Sequence, residues 1–140
     1  MPEGSGQLTL LMIDDEAQAR KLGKLLLERE GYKVLTAANG EEGLILAKVE
    51  QPHVILLDVM MPKMNGHETL KRLKADQDTQ HIPVIIITAR GTEHDIATSF
   101  KLGAVAHLEK PYETSMLLRQ LAVALQLSGR TPPTPPAPAE

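Results

Sequence analysis

Five short apolar runs, each followed by a segment with helical spacing, constrain this chain more than any other feature. The runs are Leu8–Ile13, Lys33–Ala37, His53–Leu57, Pro83–Ile87 and Ala104–Leu108. The first, third and fourth are apolar almost throughout, which suits strands covered on both faces, as in a parallel sheet, rather than a half-wet antiparallel one. Between the runs, helical segments are expected over Ala17–Glu30, closed by Gly31, then Gly40–Glu50, Gly66–Ala75 and Thr92–Lys101, closed near Gly103. The last helix is the clearest, with Leu118, Leu121, Ala122 and Leu125 at i, i+3, i+4 and i+7. Asn39-Gly40 and Asn65-Gly66 mark tight turns before helices. A strand–helix unit repeated five times predicts an α/β fold, a doubly wound five-stranded parallel sheet with five helices. In such sheets ligands sit beyond the carboxyl ends of the strands, so functional residues are sought there.

The 140 residues suit one domain. A net charge of -3 argues against direct nucleic-acid binding and against binding to an anionic membrane surface. With aromatic residues at 2%, aliphatic side chains must build the core and base-stacking surfaces are not expected. The absence of cysteine excludes disulfides and thiolate metal sites and is compatible with a cytoplasmic location. Met1–Gly6 lacks the basic and apolar regions of a signal peptide, and no apolar run approaches the roughly 18 residues of a membrane span. Residues 1–7 read as a flexible start, 8–127 as the folded domain, and 128–140 as a Pro-rich disordered tail or truncated linker. The PxxP spacing at Pro132 and Pro135 is a weak match to a recognition motif. His53, His67, His81, His94 and His107 lack ligand spacing, and no Gly-rich nucleotide-binding loop follows the first strand.

Reading off the strand ends gives Asp14, Asp15 and Glu16 after the first, Asp58 after the third, Thr88 after the fourth and Lys110 after the fifth. Singly each has an ordinary role: acids before a helix cap it and complement its dipole, and an isolated Thr or Lys is turn chemistry. Joint placement at successive strand ends points to a site. Converging carboxylates repel unless a cation neutralises them, and a nearby lysine suits an anionic ligand. Hard oxygen ligands suit Mg²⁺, with Mn²⁺ as a substitute, bound through carboxylates and a phosphate. Asp58 then becomes a nucleophile toward phosphorus, with Mg²⁺ and Lys110 neutralising charge on the transferred oxygens and Thr88 donating to one of them.

The blocks Leu11–Glu16, Leu56–Gly66, Ile87-Thr88-Ala89 and Glu109-Lys110-Pro111 together resemble those of two-component response-regulator receiver domains, over about Leu8 to Leu127, including the single-domain, chemotaxis-type members. That resemblance implies the flavodoxin-like strand order 2-1-3-4-5 and a phosphorelay signalling domain rather than an enzyme, one that assists its own phosphotransfer and slow autodephosphorylation. It implies Asp58 as phosphoacceptor, with Mg²⁺ contacted by Asp15, Asp58 and the Met60 backbone carbonyl, and by Asp14 through water. Thr88 and Lys110 would contact the phosphoryl group, and the Lys110-Pro111 bond would be cis. The donor would be a phosphohistidine on a sensor histidine kinase or histidine phosphotransfer protein docking near the first helix. Thr88 and the switch residue would then change the face formed by helix four, strand five and helix five, acting on a downstream protein target or forming a weak homodimer.

Some positions depart from the common pattern. His107 stands where an aromatic switch residue is usual; either its charge change near neutral pH alters switching, or it is an ordinary half-buried polar residue ending the fifth strand. Met60 and Arg90, two residues after Asp58 and Thr88, occupy positions that adjust phosphoryl lifetime in the family. Val105-Ala106 replaces an acidic pair common in transcription-factor receivers, which weakens a charged dimer of their style. The chain would be a stand-alone receiver or one cut from a longer chain at its Pro-rich tail. A haloacid-dehalogenase-type phosphatase would need an Asp at position 60, where this chain has Met60, and a pseudo-receiver would lack an acid or the lysine.

Overall fold

The computed structural model describes residues 7–59, 65–89, 92–131 and 133. Met60, Arg90, the first six residues and most of the Pro-rich tail therefore lie outside the described residues. In chain order the elements are β1 Thr9–Ile13, α1 Ala17–Arg29, β2 Lys33–Ala37, α2 Gly40–Glu50, β3 Val54–Leu57, α3 Gly66–Ala75, β4 Val84–Thr88, α4 Glu93–Lys101, β5 Ala106–Glu109 and α5 Thr114–Leu127. All strand pairs are parallel, and the sheet order is β2-β1-β3-β4-β5. This is the order implied by the resemblance.

Strand alternation divides the core into two layers. Leu10, Met12, Val54, Leu56, Ile85, Ile87 and Leu108 point to the face covered by α1 and α5, where they meet Leu27, Leu117, Leu121 and Leu125. Leu11, Ile13, Ile55, Leu57, Val84 and Ile86 point to the opposite face, where they meet Ala47, Leu70 and Leu73 of α2 and α3. The three inner strands are buried at nearly every position, which is why they read as continuous apolar runs. The edge strands β2 and β5 mix buried with partly and fully exposed residues, and their sequences are correspondingly mixed.

Several boundaries differ from the sequence reading, each for a local reason. Thr92 is the N-cap of α4 rather than its first residue; its hydroxyl accepts from the Asp95 amide at 3.1 Å. Strand β5 starts at Ala106 because the preceding residues still close α4. Gly103 takes φ +108°, and the Ala104 amide donates to the Ser99 carbonyl. Thr88 ends β4 within the sheet, in register with Glu109. The buried stripe of α5 is Leu117, Leu121, Ala124 and Leu125, with Leu118 only partly buried. Leucine and alanine occupy so many α5 positions that two overlapping stripes fit the spacing, and the sheet selects between them.

The Asn-Gly pairs behave as read. Asn39 and Asn65 cap α2 and α3 by accepting from the Glu42 and Glu68 amides at 2.8 and 2.9 Å. Among the described residues no helix is long and apolar enough to cross a membrane.

Candidate functional site

The carboxyl ends of the strands bring the sequence-derived residues together. Each is tied to a neighbouring strand through its backbone: the Asp14 amide donates to the Ala37 carbonyl at 3.1 Å, Asp58 to Ile13 at 3.0 Å, and Lys110 to Thr88 at 2.7 Å. Sheet hydrogen bonding thus carries Asp14, Asp58, Thr88 and Lys110 to one end. Asp14 and Asp58 are each 5% exposed and Thr88 is fully buried, so these polar groups sit at the floor of the site rather than on its rim.

One carboxylate oxygen from each of Asp14, Asp15 and Asp58 lies within 4.8 Å of the others. The Lys110 ammonium reaches into the cluster, 2.8 Å from Asp14 Oδ2 and 3.4 Å from Asp58 Oδ2. Burial alone works against the lysine's charge. The hydrogen bond to Asp14 and the charges of Asp58 and Asp14 outweigh it, holding its pKa above the ordinary lysine value. Lys110 is thus a fixed cation between two buried acids. The Lys110-Pro111 bond is cis, as the resemblance implied.

The donor set fits a small hard cation: three carboxylates, all oxygen, two of them buried and one exposed toward solvent. Glu16 stands apart as the exposed N-cap of α1, without a side-chain cap bond of its own. Its amide instead donates to Asp14 Oδ1 at 3.0 Å. Met60 and Arg90, expected to flank the site, lie outside the described residues.

His107 is half-buried in β5, in register with Ile86. Its Nε2 is buried and has no hydrogen-bond partner among the described residues. Burial pushes its pKa down; Asp95 and Glu109 pull it up, and His67 pushes it further down. His67 itself bonds the fully buried Ser99 hydroxyl through Nε2 at 3.0 Å, linking α3 to α4.

Two neighbours of the site escaped the sequence reading. Arg20 donates from Nη1 to the Asp14 carbonyl at 2.6 Å. Its signal was its position one turn into α1, where a long side chain leans back toward the helix start. Tyr112, two residues past Lys110, lines the small cavity among Asp14, Asp58 and Lys110 and also the apolar groove between α1 and the β5–α5 loop. Burial pushes its phenol pKa up, an effect that Lys110 opposes and Asp14 reinforces.

A parallel α/β domain with an acid cluster and a half-buried lysine at its strand ends has the architecture of a phosphorelay receiver. Residues 10–122 match the response regulator receiver domain family, and the chain belongs to it. The family consists of signalling domains of two-component systems, which interact with histidine kinases and downstream effectors. Protein PilH of Pseudomonas aeruginosa is 36% identical over 116 residues, covering 83% of this chain and 96% of PilH. The transcriptional regulatory protein CpxR of Klebsiella pneumoniae is 41% identical over 119 residues, which are 85% of this chain but 50% of CpxR. The chain thus spans about half the length of CpxR and of the ycf27 relatives. The chemotaxis protein CheY4 of Vibrio cholerae superposes with a TM-score of 0.81 at 30% identity, covering 85% of this chain and 99% of that one.

Proposed function

We propose that this receiver accepts a phosphoryl group on Asp58 from a phosphohistidine on a sensor kinase or phosphotransfer protein. The observation that carries the reading is the convergence of Asp14, Asp15, Asp58 and Lys110 at the strand ends. In the transfer an Asp58 carboxylate oxygen attacks phosphorus as the P–N bond breaks, and the electron pair of that bond returns to the donor imidazole. Asp14, Asp15 and Asp58 would hold Mg²⁺, with Mn²⁺ as a substitute, and the ion when bound supplies positive charge to the transferred oxygens. Lys110 is already fixed where it can neutralise that group, and Thr88 ends the adjacent strand with a hydroxyl to donate. Met60 would add its carbonyl to the metal site, and Met60 and Arg90 would adjust phosphoryl lifetime.

Water attack on the aspartyl phosphate returns the domain to rest. The donor would dock beside α1, where Leu22 and Leu26 line the apolar groove that runs up to Lys110. Phosphorylation would draw Thr88 toward the phosphoryl oxygens and shift His107, altering the α4–β5–α5 face for a downstream protein or a weak homodimer. Such a relay would operate in the cytoplasm.

Intact-mass analysis after incubation with acetyl phosphate, with and without Mg²⁺, tests the reading. A Mg²⁺-dependent gain of one phosphoryl group in the wild type, absent in Asp58→Asn, is expected. No adduct from either acetyl phosphate or a phosphohistidine donor would refute it.

A further inference from the structure

Asp14 is held from four directions, and three of the holds have obvious origins. Its amide bonds the adjacent strand at Ala37, its Oδ1 accepts from the Glu16 amide in the same turn, and its Oδ2 takes the Lys110 ammonium. The fourth comes from a residue that touches none of the carboxylates: Arg20 spans back over the first turn of α1 to the Asp14 backbone carbonyl.

That carbonyl belongs to the peptide joining Asp14 to Asp15, so the bond fixes the plane from which Asp15 departs. The distinction matters because the three acids are not equally secured. Asp14 and Asp58 share Lys110, whereas the Asp15 carboxylate is exposed and makes no side-chain hydrogen bond among the described residues. The other holds on the turn all act on Asp14 itself, and α1 has no side-chain N-cap bond and no acid in its first turn. Arg20 is itself well seated: its amide makes the first backbone bond of the helix, to the Glu16 carbonyl at 3.1 Å, and its side chain is half-buried.

We infer that Arg20 is a positioning residue for the metal site, holding the Asp14–Asp15 peptide so that the otherwise unsupported Asp15 carboxylate faces Asp58. The inference rests on the Mg²⁺ reading proposed above. A guanidinium so close to the acids also repels a cation. Its two effects on metal affinity therefore have opposite signs. If Arg20 acted only through its charge, removing it would tighten Mg²⁺ binding. If it orients Asp15, removing it weakens binding, because partners that orient ligands typically contribute about tenfold or more to affinity.

Calorimetric titration of Mg²⁺ into the unphosphorylated chain, with urea unfolding of each variant, separates these cases. Arg20→Met keeps an unbranched apolar stem and the helix preference and loses both donor and charge. It is expected to raise the Mg²⁺ dissociation constant by about tenfold. Arg20→Lys, which keeps a charged donor, should lose less. Arg20→Gln, too short to reach the carbonyl, should lose about as much as the Met variant and replaces it in the comparison if Met impairs folding. Equal or tighter Mg²⁺ binding by the folded Met or Gln variant overturns the role of Arg20 and leaves the functional reading intact. Failure of the wild-type chain to bind Mg²⁺ overturns both.

Discussion

Gly66 couples helix packing to Asp58, the proposed acceptor, more tightly than any other described glycine, and Gly66→Ala exposes that coupling. A Cβ at this position would run into the Val59 Cα and would lie 2.6 Å from the Asp58 carbonyl oxygen and 2.8 Å from Val59 Cγ1. The first two are backbone atoms of the residues that carry and follow the site, so no rotamer change can clear them. Either the start of α3 lifts or the Asp58–Val59 peptide moves. The Gly66 amide already donates to the Val59 carbonyl at 3.2 Å, so this bond is strained in either case. Overpacking of this kind costs about 1–3 kcal/mol, against which alanine in place of glycine returns about 0.5–1 kcal/mol of helix preference. A net loss of about 1–2 kcal/mol, or roughly 5 °C in Tm, should follow. Displacing the Asp58 backbone should also slow loading from acetyl phosphate, by about tenfold for a shift of several tenths of an ångström, given that about 1 Å can cost 10²-fold. Gly23→Ala is the control, because there the added methyl meets Met12 Cε, with Met12 Sδ at 2.7 Å, the movable end of a flexible side chain. Its helix-preference gain should roughly cancel the repacking cost, and loading should be unchanged. Urea unfolding and timed mass spectrometry read both quantities. A Gly66→Ala variant as stable as the wild type and loaded at the same rate would refute the reasoning.

Two further perturbations address the charged groups. Because burial, partly offset by Asp95 and Glu109, leaves the His107 pKa below its ordinary value, the folded state favours the neutral ring. The unfolded chain then binds more protons below about pH 6.5, and stability should fall as the pH drops through the folded pKa. His107→Phe should reduce this acid sensitivity without abolishing it, since His53 is shifted the same way by burial and by Arg130. Identical pH dependence of the urea midpoint in the two proteins would count against the assignment. Lys110→Met should leave Asp14 and Asp58 as adjacent buried carboxylates without their cation, destabilising the fold by about 3 kcal/mol. Added Mg²⁺ should restore part of that loss, and a variant indifferent to Mg²⁺ in thermal unfolding would argue against a metal held by these acids.

How much of this was legible in the sequence depended on whether a residue's role is set by period or by direction. The inner strands were plain because β1, β3 and β4 are covered on both faces, so every position is apolar and no register has to be guessed. The acids and Thr88 were plain for the same reason, as each follows or ends such a run, and Lys110 follows the edge run that closes the sheet. The edge was harder. The Ala104–Leu108 run looks like one strand, yet Ala104 still bonds back to Ser99 as α4 closes after Gly103, and only from Val105, whose amide donates to Val84, does the chain join the sheet. Leu117 and Leu118 are equivalent in sequence, and only the packing of α5 against the sheet decides which is buried.

Arg20 and Tyr112 were invisible for a different reason. Their contacts depend on where a long side chain points from a helix start or a loop, which residue spacing does not encode. This difference separates two layers of the site. The carboxylates and the lysine ride on strand ends locked by backbone bonds, so their mutual spacing is inherited from the sheet and is hard to change without unfolding it. Arg20 acts through one side-chain bond and Gly66 through the lack of a side chain, so single substitutions at either can displace one acid by a fraction of an ångström while the core stays closed. Relatives that share the acids and the lysine can therefore differ in loading rate through positions of this second kind. The two variants should have separable effects: Arg20→Met on metal affinity through Asp15, and Gly66→Ala on transfer through Asp58. Because Asp14 and Asp58 share Lys110, the double variant tests whether the two effects sum in free energy, as they should if each substitution moves only its own peptide. A clear departure from additivity would mean that the Asp14–Asp15 turn and the Asp58 peptide move as one unit.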